Sequence, residues 1–300
     1  MLVGVLAVEQ GRINGELGHT VNDGILAAVI SFGTGMTLLV VIVSLRPSTR
    51  AAIFERLPAL VRSGDLRWWQ LVGGFCGAFF VASQGITIPT LGVALFTVLV
   101  VAGTTGSSLL IDAAGLGPGG RRAITSRRVV GAVGTTLAVV VAVSGRFSAG
   151  SLALSAVLLT VTAGALTSFQ QAINAQVAVK TGDPLASTTL NFVLGLSALL
   201  VALAVEHLVV GHAWTAPPSP LVSPVLWLGG AIGVAFILIS ARVVGPLGVL
   251  LYSLLSVGGQ LVGALLTDLL VPAPGVELGW QVVAGVVLTG LSVAVATVRT

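Results

Sequence analysis

Apolar runs follow one another through the whole 300-residue chain, and no other feature limits its possible folds as strongly. Each run has about 20 residues, the length of helix that spans a hydrocarbon core of about 30 Å. Only 8% of the residues are charged and the mean hydropathy is +1.08, whereas about a quarter of a soluble domain is charged. The alternation typical of membrane β-barrel strands is absent. The sequence therefore predicts an all-α polytopic membrane protein.

Ten apolar runs stand apart from one another along the chain. We expect ten transmembrane helices at about 1–18, 24–45, 67–88, 91–112, 127–145, 151–178, 185–207, 223–241, 246–268 and 278–298. Pro89, Pro184 and Pro246 fall at the expected junctions, where proline is tolerated best. Eight spans would require merging runs that look separate.

Basic residues are unevenly distributed between alternate connections. Thirteen of the fourteen basic residues are arginine. With the N-terminus inside, twelve lie on the inner side, Arg146 alone lies on the outer side, and Arg12 lies within the first span. The positive-inside rule then predicts a multi-pass protein of a bacterial-type inner membrane with both termini cytoplasmic. The net charge of +4 reflects this topology and does not indicate a nucleic-acid partner.

The polar pair Gln10/Asn14 recurs as Gln170/Asn174, 160 residues later. The same offset relates other positions, and beyond the second helix of each half an offset of 156 applies. The matches include Phe32 with Phe192, Gly35 with Gly195, Gly73, Gly74 and Gly77 with Gly229, Gly230 and Gly233, and TLGVALF at 90–96 with PLGVLLY at 246–252. Several matches in order indicate an internal duplication, with repeats at 1–146 and 147–300.

Five helices per repeat is an odd number, so the second repeat is expected to enter the membrane from the opposite side. The expected fold is ten transmembrane helices arranged as two inverted five-helix repeats. Such repeats typically enclose a site near the middle of the bilayer and rock around it. The duplication therefore favours a transporter that works by alternating access, and the alternative is a duplicated membrane scaffold or interaction protein that transports nothing.

Polar side chains within the expected spans are the candidate site residues. Gln10 and Asn14 share one helix face, as do Gln170 and Asn174. Amide groups in hydrocarbon need partners, so these four either tie helices together or line a wet cavity. The other uncharged candidates for substrate binding and translocation are Gln84, Gln171, Tyr252 and Gln260.

A charged stripe on the first helix, Glu9, Arg12 and Glu16, has no counterpart on the sixth. A carboxylate within the membrane is costly and by default indicates a functional site. Glu9 is a candidate for binding a proton or a cation, and Arg12 for neutralising Glu9 or holding an anionic substrate. The alternative is that this stripe lies near the headgroup interface.

Several smaller features complete the expectation. Asp23 and Asp183 are expected to cap the second helix of each half, and Asp112 and Asp268 to lie solvated at helix ends. The glycine pairs Gly73/Gly77 and Gly229/Gly233 predict close packing at helices three and eight. Cys76 is the single cysteine, so no intrachain disulfide is possible.

Recognisable catalytic and cofactor motifs are absent from the sequence. GLGPGGRR at 115–122 lacks the GK[ST] of a phosphate loop, and three scattered histidines form no zinc-ligand pattern. We therefore expect no enzyme activity, no cofactor and no metal. Transport would be driven by an ion gradient or by the gradient of the solute itself. A membrane-embedded lipid flippase or a partner of a glycosyl carrier is a further alternative, against which the missing catalytic clusters count.

The repeated motif resembles the drug/metabolite transporter superfamily, and within it the YdcZ-like family. In that family, the sequence of each half-repeat resembles Q-x-x-I/L-N-x-x-L, followed by a turn and then a helix with the pattern SF-x-x-G. The matching residues here are Gln10, Asn14, Ser31, Phe32 and Gly35, and again Gln170, Asn174, Gly182, Pro184, Asn191, Phe192 and Gly195. The resemblance covers nearly the whole chain and implies ten helices, two inverted repeats and both termini inside. It is silent about the substrate.

The chain departs from the family pattern in its first helix, where Glu9 and Arg12 replace apolar or small residues. A glutamate there resembles the proton-coupling carboxylate of the small multidrug resistance relatives, which makes the proton a candidate coupling ion at Glu9. The sequence as a whole predicts a secondary transporter of a small organic solute. The resemblance to the superfamily favours an exporter over an importer. It leaves a monomer and a dimer equally open.

Overall fold

The computed structural model describes residues 2–121, 123–148, 154–209, 211, 213–247, 249–270 and 280–297. Within these ranges the chain is helical and contains no β-strand. We label its helices of eighteen or more residues α1 (Leu2–Val21), α2 (Gly24–Ser44), α3 (Gly73–Leu91), α4 (Val93–Ala114), α5 (Ser126–Ser148), α6 (Leu154–Thr181), α7 (Pro184–Val209), α8 (Gly229–Leu247), α9 (Val249–Leu270) and α10 (Trp280–Thr297).

Six helical segments of the described residues are long and apolar enough to cross a membrane. They are Gly24–Ser44, Trp68–Leu91, Val93–Ala114, Leu154–Thr181, Pro184–Val209 and Pro224–Leu247. Large apolar side chains such as Val40, Leu110 and Val201 lie on the outside of the helix bundle, as lipid contact requires. The predicted class, a helical membrane protein, is therefore confirmed.

The connection between α2 and α3 is helical, whereas the sequence predicted a loop there. It comprises Pro47–Ala51, a π-helical turn at Ala52–Arg56 and a further α-helical turn at Leu57–Arg62. Pro47 occupies the first helical position, where its fixed φ angle favours helix initiation. Buried Thr49 donates a 2.7 Å hydrogen bond to the carboxylate of Asp183, which docks the connection on the start of α7.

Pro89 and Pro246 lie inside the last turns of α3 and α8, and not at the junctions predicted for them. α3 continues for two residues past Pro89, and α8 for one residue past Pro246. At the α3–α4 join Gly92 has φ 75° and ψ 162°, a conformation that only glycine adopts readily. Pro184, by contrast, opens α7.

Close contacts at equivalent positions join the two halves of the chain. A methyl group at Gly73 would lie 2.2 Å from Asn174 Oδ1, and one at Gly229 would lie 2.5 Å from Asn14 Oδ1. The third helix of each half thus packs against the first helix of the other half. Both contacts are possible only because glycine lacks a side chain, as the repeated glycine pairs predicted.

The predicted caps are confirmed, since one carboxylate oxygen of Asp23 accepts the N–H groups of Ile25 and Leu26, and Asp183 accepts that of Leu185. Asp112 is buried, contrary to the solvated position predicted, because α4 continues to Ala114. The side chain of Asp268 lies outside the described residues. The expected boundary between repeats at 146/147 falls within α5, and residues 149–153 lie outside the described residues.

Candidate functional site

A cavity of about 760 Å³ opens between α1, the α3–α4 join and the connection that precedes α8. We call this cavity the vestibule; its lining residues are Arg12, Gly15, Glu16, His19, Thr20, Ile88, Pro89, Val93, Val222, Ser223, Pro224, Val225 and Leu226. The wall formed by α1 is polar and charged, whereas the other walls are mostly apolar. Its volume falls within the range of small-molecule sites.

Two members of the charged stripe of α1, Arg12 and Glu16, line this vestibule, and Glu9 does not. Arg12 Nε lies 3.6 Å from Glu9 Oε2, and their side chains are 27% and 40% exposed. A partly exposed pair of this kind adds at most about 1 kcal/mol to stability. The pair orients Arg12, which also lines the vestibule together with Glu16 one helical turn further along α1.

Two small chambers lie in the helix bundle beyond the vestibule, each with a volume of about 10 Å³. We call the one next to the vestibule the upper chamber and the other the central chamber. The upper chamber shares Ile88 and Val93 with the vestibule, and the central chamber shares Phe80, Val100 and Gln260 with the upper one. The three cavities therefore form a series from the surface to the interior. A volume of about 10 Å³ holds roughly one water molecule, so the inner part of this route is closed.

The central chamber is lined by uncharged polar groups contributed by both halves. Its lining residues are Ala7, Phe80, Val100, Thr104, Thr167, Gln171, Phe236, Ser253, Ser256 and Gln260. Ser253 Oγ donates to Gln171 Oε1 at 3.4 Å, and Gln260 Nε2 donates to Ser256 Oγ at 3.1 Å. This arrangement presents hydroxyl and amide groups to whatever occupies the chamber.

Two of the predicted site residues, Gln171 and Gln260, meet in this chamber. The hydroxyl residues beside them were missed by the sequence reading. A serine or threonine in a membrane helix commonly bonds its own backbone, as Thr167 does to the Ala163 carbonyl at 2.8 Å, so its presence carries no signal. The spacing of Ser253, Ser256 and Gln260, which places them on one face of α9, is the signal that could have identified them.

The four repeated amides hold helices together, and none of them lines the vestibule or either chamber. Gln10 Nε2 donates to the Gly229 carbonyl at 3.3 Å, and Asn14 Nδ2 donates to Gln84 Oε1 at 2.8 Å. In the second half, Gln170 Nε2 and Asn174 Nδ2 both donate to Asn191 Oδ1, at 2.9 and 3.0 Å. Their geometry is that of helix ties.

Tyr252 and Gln84 are the remaining predicted residues. Tyr252 is buried and hydrogen-bonds the hydroxyl of Ser240, which joins α9 to α8. Gln84 is fully buried and accepts the hydrogen bond from Asn14, which joins α3 to α1. Both residues flank the chambers without lining them. Asn191, which receives two amide donors, was quoted in the repeated motif but not predicted as a functional residue.

At the opposite end of the bundle, side chains of the described residues link three segments. Gln176 on α6 donates to the Leu116 carbonyl after α4 and accepts from Gln70 before α3. Lys180, one turn further, donates to the Asp65 carbonyl of the α2–α3 connection. We call this end, where most arginines lie, the basic end, and the end with the vestibule the vestibule end.

Fold and site together define a polytopic helical membrane protein with a solute-sized cavity leading to a buried polar chamber. The chain belongs to the YdcZ family of the drug/metabolite transporters, described as "Putative inner membrane exporter, YdcZ", whose family model matches residues 1–141 and again 155–295. The predicted family is thereby confirmed, as is the duplication. An exporter is a non-enzymatic class of protein.

Solved structures share the fold. One of them, titled only "Crystal structure of protein", superposes with a TM-score of 0.62 at 18% identity over 99% of this chain and 95% of that chain. At this identity the likeness concerns the fold alone. No curated protein matches the sequence.

Proposed function

We propose that this protein is a secondary transporter that exports a small organic solute across the inner membrane by alternating access. Its ten long helices act as two inverted five-helix repeats, and the solute passes between them through the central chamber. Both termini face the cytoplasm, so the vestibule opens outward. The family description supports export from the inner membrane, and the placement of basic residues supports the orientation.

The symmetry of the contacts between the halves supports the inverted arrangement. A methyl group at Gly35 would lie 2.3 Å from Phe192, and one at Gly195 would lie 2.3 Å from Phe32. Likewise a methyl group at Gly77 would lie 2.5 Å from Gln170 Nε2, and one at Gly233 would lie 2.5 Å from Gln10 Nε2. Reciprocal contacts at matched positions are what a pseudo-two-fold axis between the repeats produces.

One observation carries the proposal: a charge-free chamber with polar groups from both halves lies beyond a vestibule that is open at one end of the bundle, while side-chain hydrogen bonds link the segments at the other end. The larger cavity thus faces one side of the membrane, and the inner part of the route is closed. A scaffold protein, the alternative weighed from the sequence, requires neither the graded series of cavities nor the difference between the two ends. The repeated amides serve stability under either reading.

The test is release of solute from proteoliposomes. Vesicles containing the purified protein are loaded with the low-molecular-mass fraction of a cytosolic extract, and the released compounds are identified by mass spectrometry. We expect at least one compound to leave faster than from protein-free vesicles and than from vesicles with the Gln171→Ala/Gln260→Ala variant. Val201→Ala, on the outer surface of α7, is the matched control. Equal release from all four preparations would refute transport.

A proton gradient is the proposed energy source, with Glu9 beside Arg12 as the first candidate for the coupling group. The expected observation is that release of the identified compound responds to an imposed pH gradient and that Glu9→Gln removes the response. Glu55→Gln, in the exposed connection, controls for loss of any carboxylate. Release that is indifferent to the gradient in the unmodified protein would remove proton coupling while leaving transport intact.

A further inference from the structure

The central chamber is lined by residues at equivalent positions of the two halves. Four such pairs line it: Ala7 and Thr167, Phe80 and Phe236, Val100 and Ser256, and Thr104 and Gln260. The members of the first pair are 160 residues apart and those of the other three are 156 apart, which are the two offsets of the duplication. The chamber therefore lies where the two halves meet around the proposed pseudo-two-fold axis.

The helices that carry these residues pack against one another reciprocally. A methyl group added at Gly4 on α1 would overlap the Ser256 carbonyl on α9, and one added at Gly164 on α6 would overlap the Val100 carbonyl on α4. Gly4 and Gly164 are 160 residues apart, and Val100 and Ser256 are 156 apart. The equivalence that the sequence indicates therefore holds in space beside the chamber.

The two halves contribute different chemistry to this symmetric frame. The second half supplies five polar lining residues: Thr167, Gln171, Ser253, Ser256 and Gln260. Thr104 is the one polar lining residue of the first half in the described part of the chain, and its hydroxyl already donates to the Gly164 carbonyl at 3.1 Å. The other first-half residues of the lining are Ala7, Phe80 and Val100. One side of the chamber can therefore form hydrogen bonds, whereas the other side is apolar.

Two glutamines on the polar side retain hydrogen-bonding groups for a ligand. Gln171 is 5% exposed; its Oε1 accepts from the Ser253 hydroxyl at 3.4 Å, and its Nε2 has no partner among the described residues. Gln260 Nε2 donates to Ser256 Oγ at 3.1 Å, and the Oε1 of Gln260 likewise has no partner there. A buried amide group without a partner is unfavourable. The chamber therefore favours a ligand that offers an acceptor to one glutamine and a donor to the other.

The lining of the chamber contains no charged side chain among the described residues. Moving an ionised group from water into such a site, without a partner of opposite charge, is costly. The charged side chains of Arg12 and Glu16 lie in the vestibule, on the outer side of Ile88 and Val93. A solute can meet these charges at the entrance, but only an uncharged group finds matching partners in the chamber.

We propose that the central chamber selects uncharged amphipathic solutes that carry a hydrogen-bond donor and an acceptor on one edge and an apolar group on the other. The polar edge pairs with Gln171 and Gln260, and the apolar group packs against Phe80, Val100 and Phe236. In this state the chamber holds about one water molecule, so the route widens when the solute enters. The inference rests on the proposed function, because it takes the chamber to be the transport site.

The experiment compares the binding of four probes to the detergent-purified protein: benzamide, benzoate, benzylamine and acetamide. Benzamide has both the polar edge and the ring. Benzoate and benzylamine attach a charged group to the same ring at neutral pH, and acetamide keeps the amide without the ring. At equal millimolar concentrations, we expect benzamide alone to raise the unfolding temperature, by roughly 1–3 °C. An equal rise with either charged probe, or no rise with benzamide, would overturn the inference.

Variants of the two glutamines locate the binding. Gln171→Leu and Gln260→Leu each remove one amide while nearly conserving volume, and each should abolish the rise that benzamide causes. Gln10→Leu is the matched control, because Gln10 lines neither chamber and donates to the Gly229 carbonyl. This control should unfold at a lower temperature and still respond to benzamide. A response retained in both chamber variants, or lost in the control as well, would contradict the assignment.

The charge of the released compounds separates this inference from the proposed function. In the release assay with proteoliposomes, the compounds that leave through the protein should be uncharged at neutral pH. Release of ionised compounds alone would overturn the inference and leave transport standing. Absence of release from every preparation would remove the proposed function, and the benzamide measurements would then decide whether the chamber selects this class of ligand.

Discussion

The rings of Phe32 and Phe192 pack with their centroids 4.8 Å apart. Phe32 also lies against Gly195, and Phe192 lies against Gly35. The two phenylalanines are 160 residues apart and come from α2 and α7. Their contact joins the halves where a residue meets its own counterpart. In the proposed alternating-access cycle, the halves would rock about this contact without separating.

Replacing Gly35 or Gly195 with alanine should destabilise the protein by about 1–3 kcal/mol, because each methyl group would overlap a phenylalanine ring. The measurement is thermal or denaturant unfolding in detergent. Gly33→Ala is the matched control on the same helix, since no atom lies within 4 Å of the added methyl group. Its stability should be unchanged or slightly increased. Equal losses in all three variants would contradict the close contact.

Asn191→Ala should be more destabilising than Ser31→Ala, although the two positions are equivalent. Asn191 Oδ1 receives donors from Gln170 and Asn174, and each hydrogen bond within a membrane bundle is worth about 0.6–2 kcal/mol. Ser31 Oγ has no hydrogen-bond partner in the described structure, so its loss should cost little. Unfolding measurements on both variants decide the matter, and a larger effect at Ser31 would refute the account.

Gln260→Ala and Gln10→Ala should affect different properties. Gln260 lines the central chamber, so its removal should slow solute release with only a small change in unfolding temperature. Gln10 donates to the Gly229 carbonyl and lines neither chamber, so its removal should lower stability by about 1 kcal/mol. Release from the remaining folded Gln10→Ala protein should stay near that of the unmodified protein. The reverse pattern would place the site among the repeated amides.

Thr49→Val should loosen the α2–α3 connection. The lost hydrogen bond joins a buried hydroxyl to a carboxylate and is worth about 1.5–3 kcal/mol. Limited proteolysis between residues 46 and 66 should therefore accelerate, whereas Ser48→Ala, an exposed neighbour, should behave as the unmodified protein. An unchanged cleavage rate in Thr49→Val would show that other contacts hold the connection.

The helical framework and the buried amides follow from the sequence, because the lengths of the apolar runs and the repeated motif can be recognised without knowing how the helices pack. The partners of Gln10 and Asn14 do not, since they depend on how one half packs against the other. Gln10 bonds a main-chain carbonyl on α8, and Asn14 bonds Gln84. Neither bond has a signature in the spacing of residues along the chain.

The cavities were hidden from the sequence for related reasons. One wall of the vestibule is segment 222–226, part of a connection that folds back on itself through a hydrogen bond from Trp227 Nε1 to the Pro218 carbonyl. The central chamber is lined by serine and threonine, which are common throughout membrane helices. Glu16 was identified as part of a charged stripe, but its place in the vestibule wall depends on how segment 222–226 and the α3–α4 join pack against α1.

The narrow inner route has an electrical consequence. Ile88 and Val93 separate the vestibule from chambers that each hold about one water molecule. Protons migrate along unbroken files of water, and a constriction with apolar walls interrupts such a file by drying. By this argument, a bundle in this state would not conduct protons, and its presence would not discharge the membrane potential.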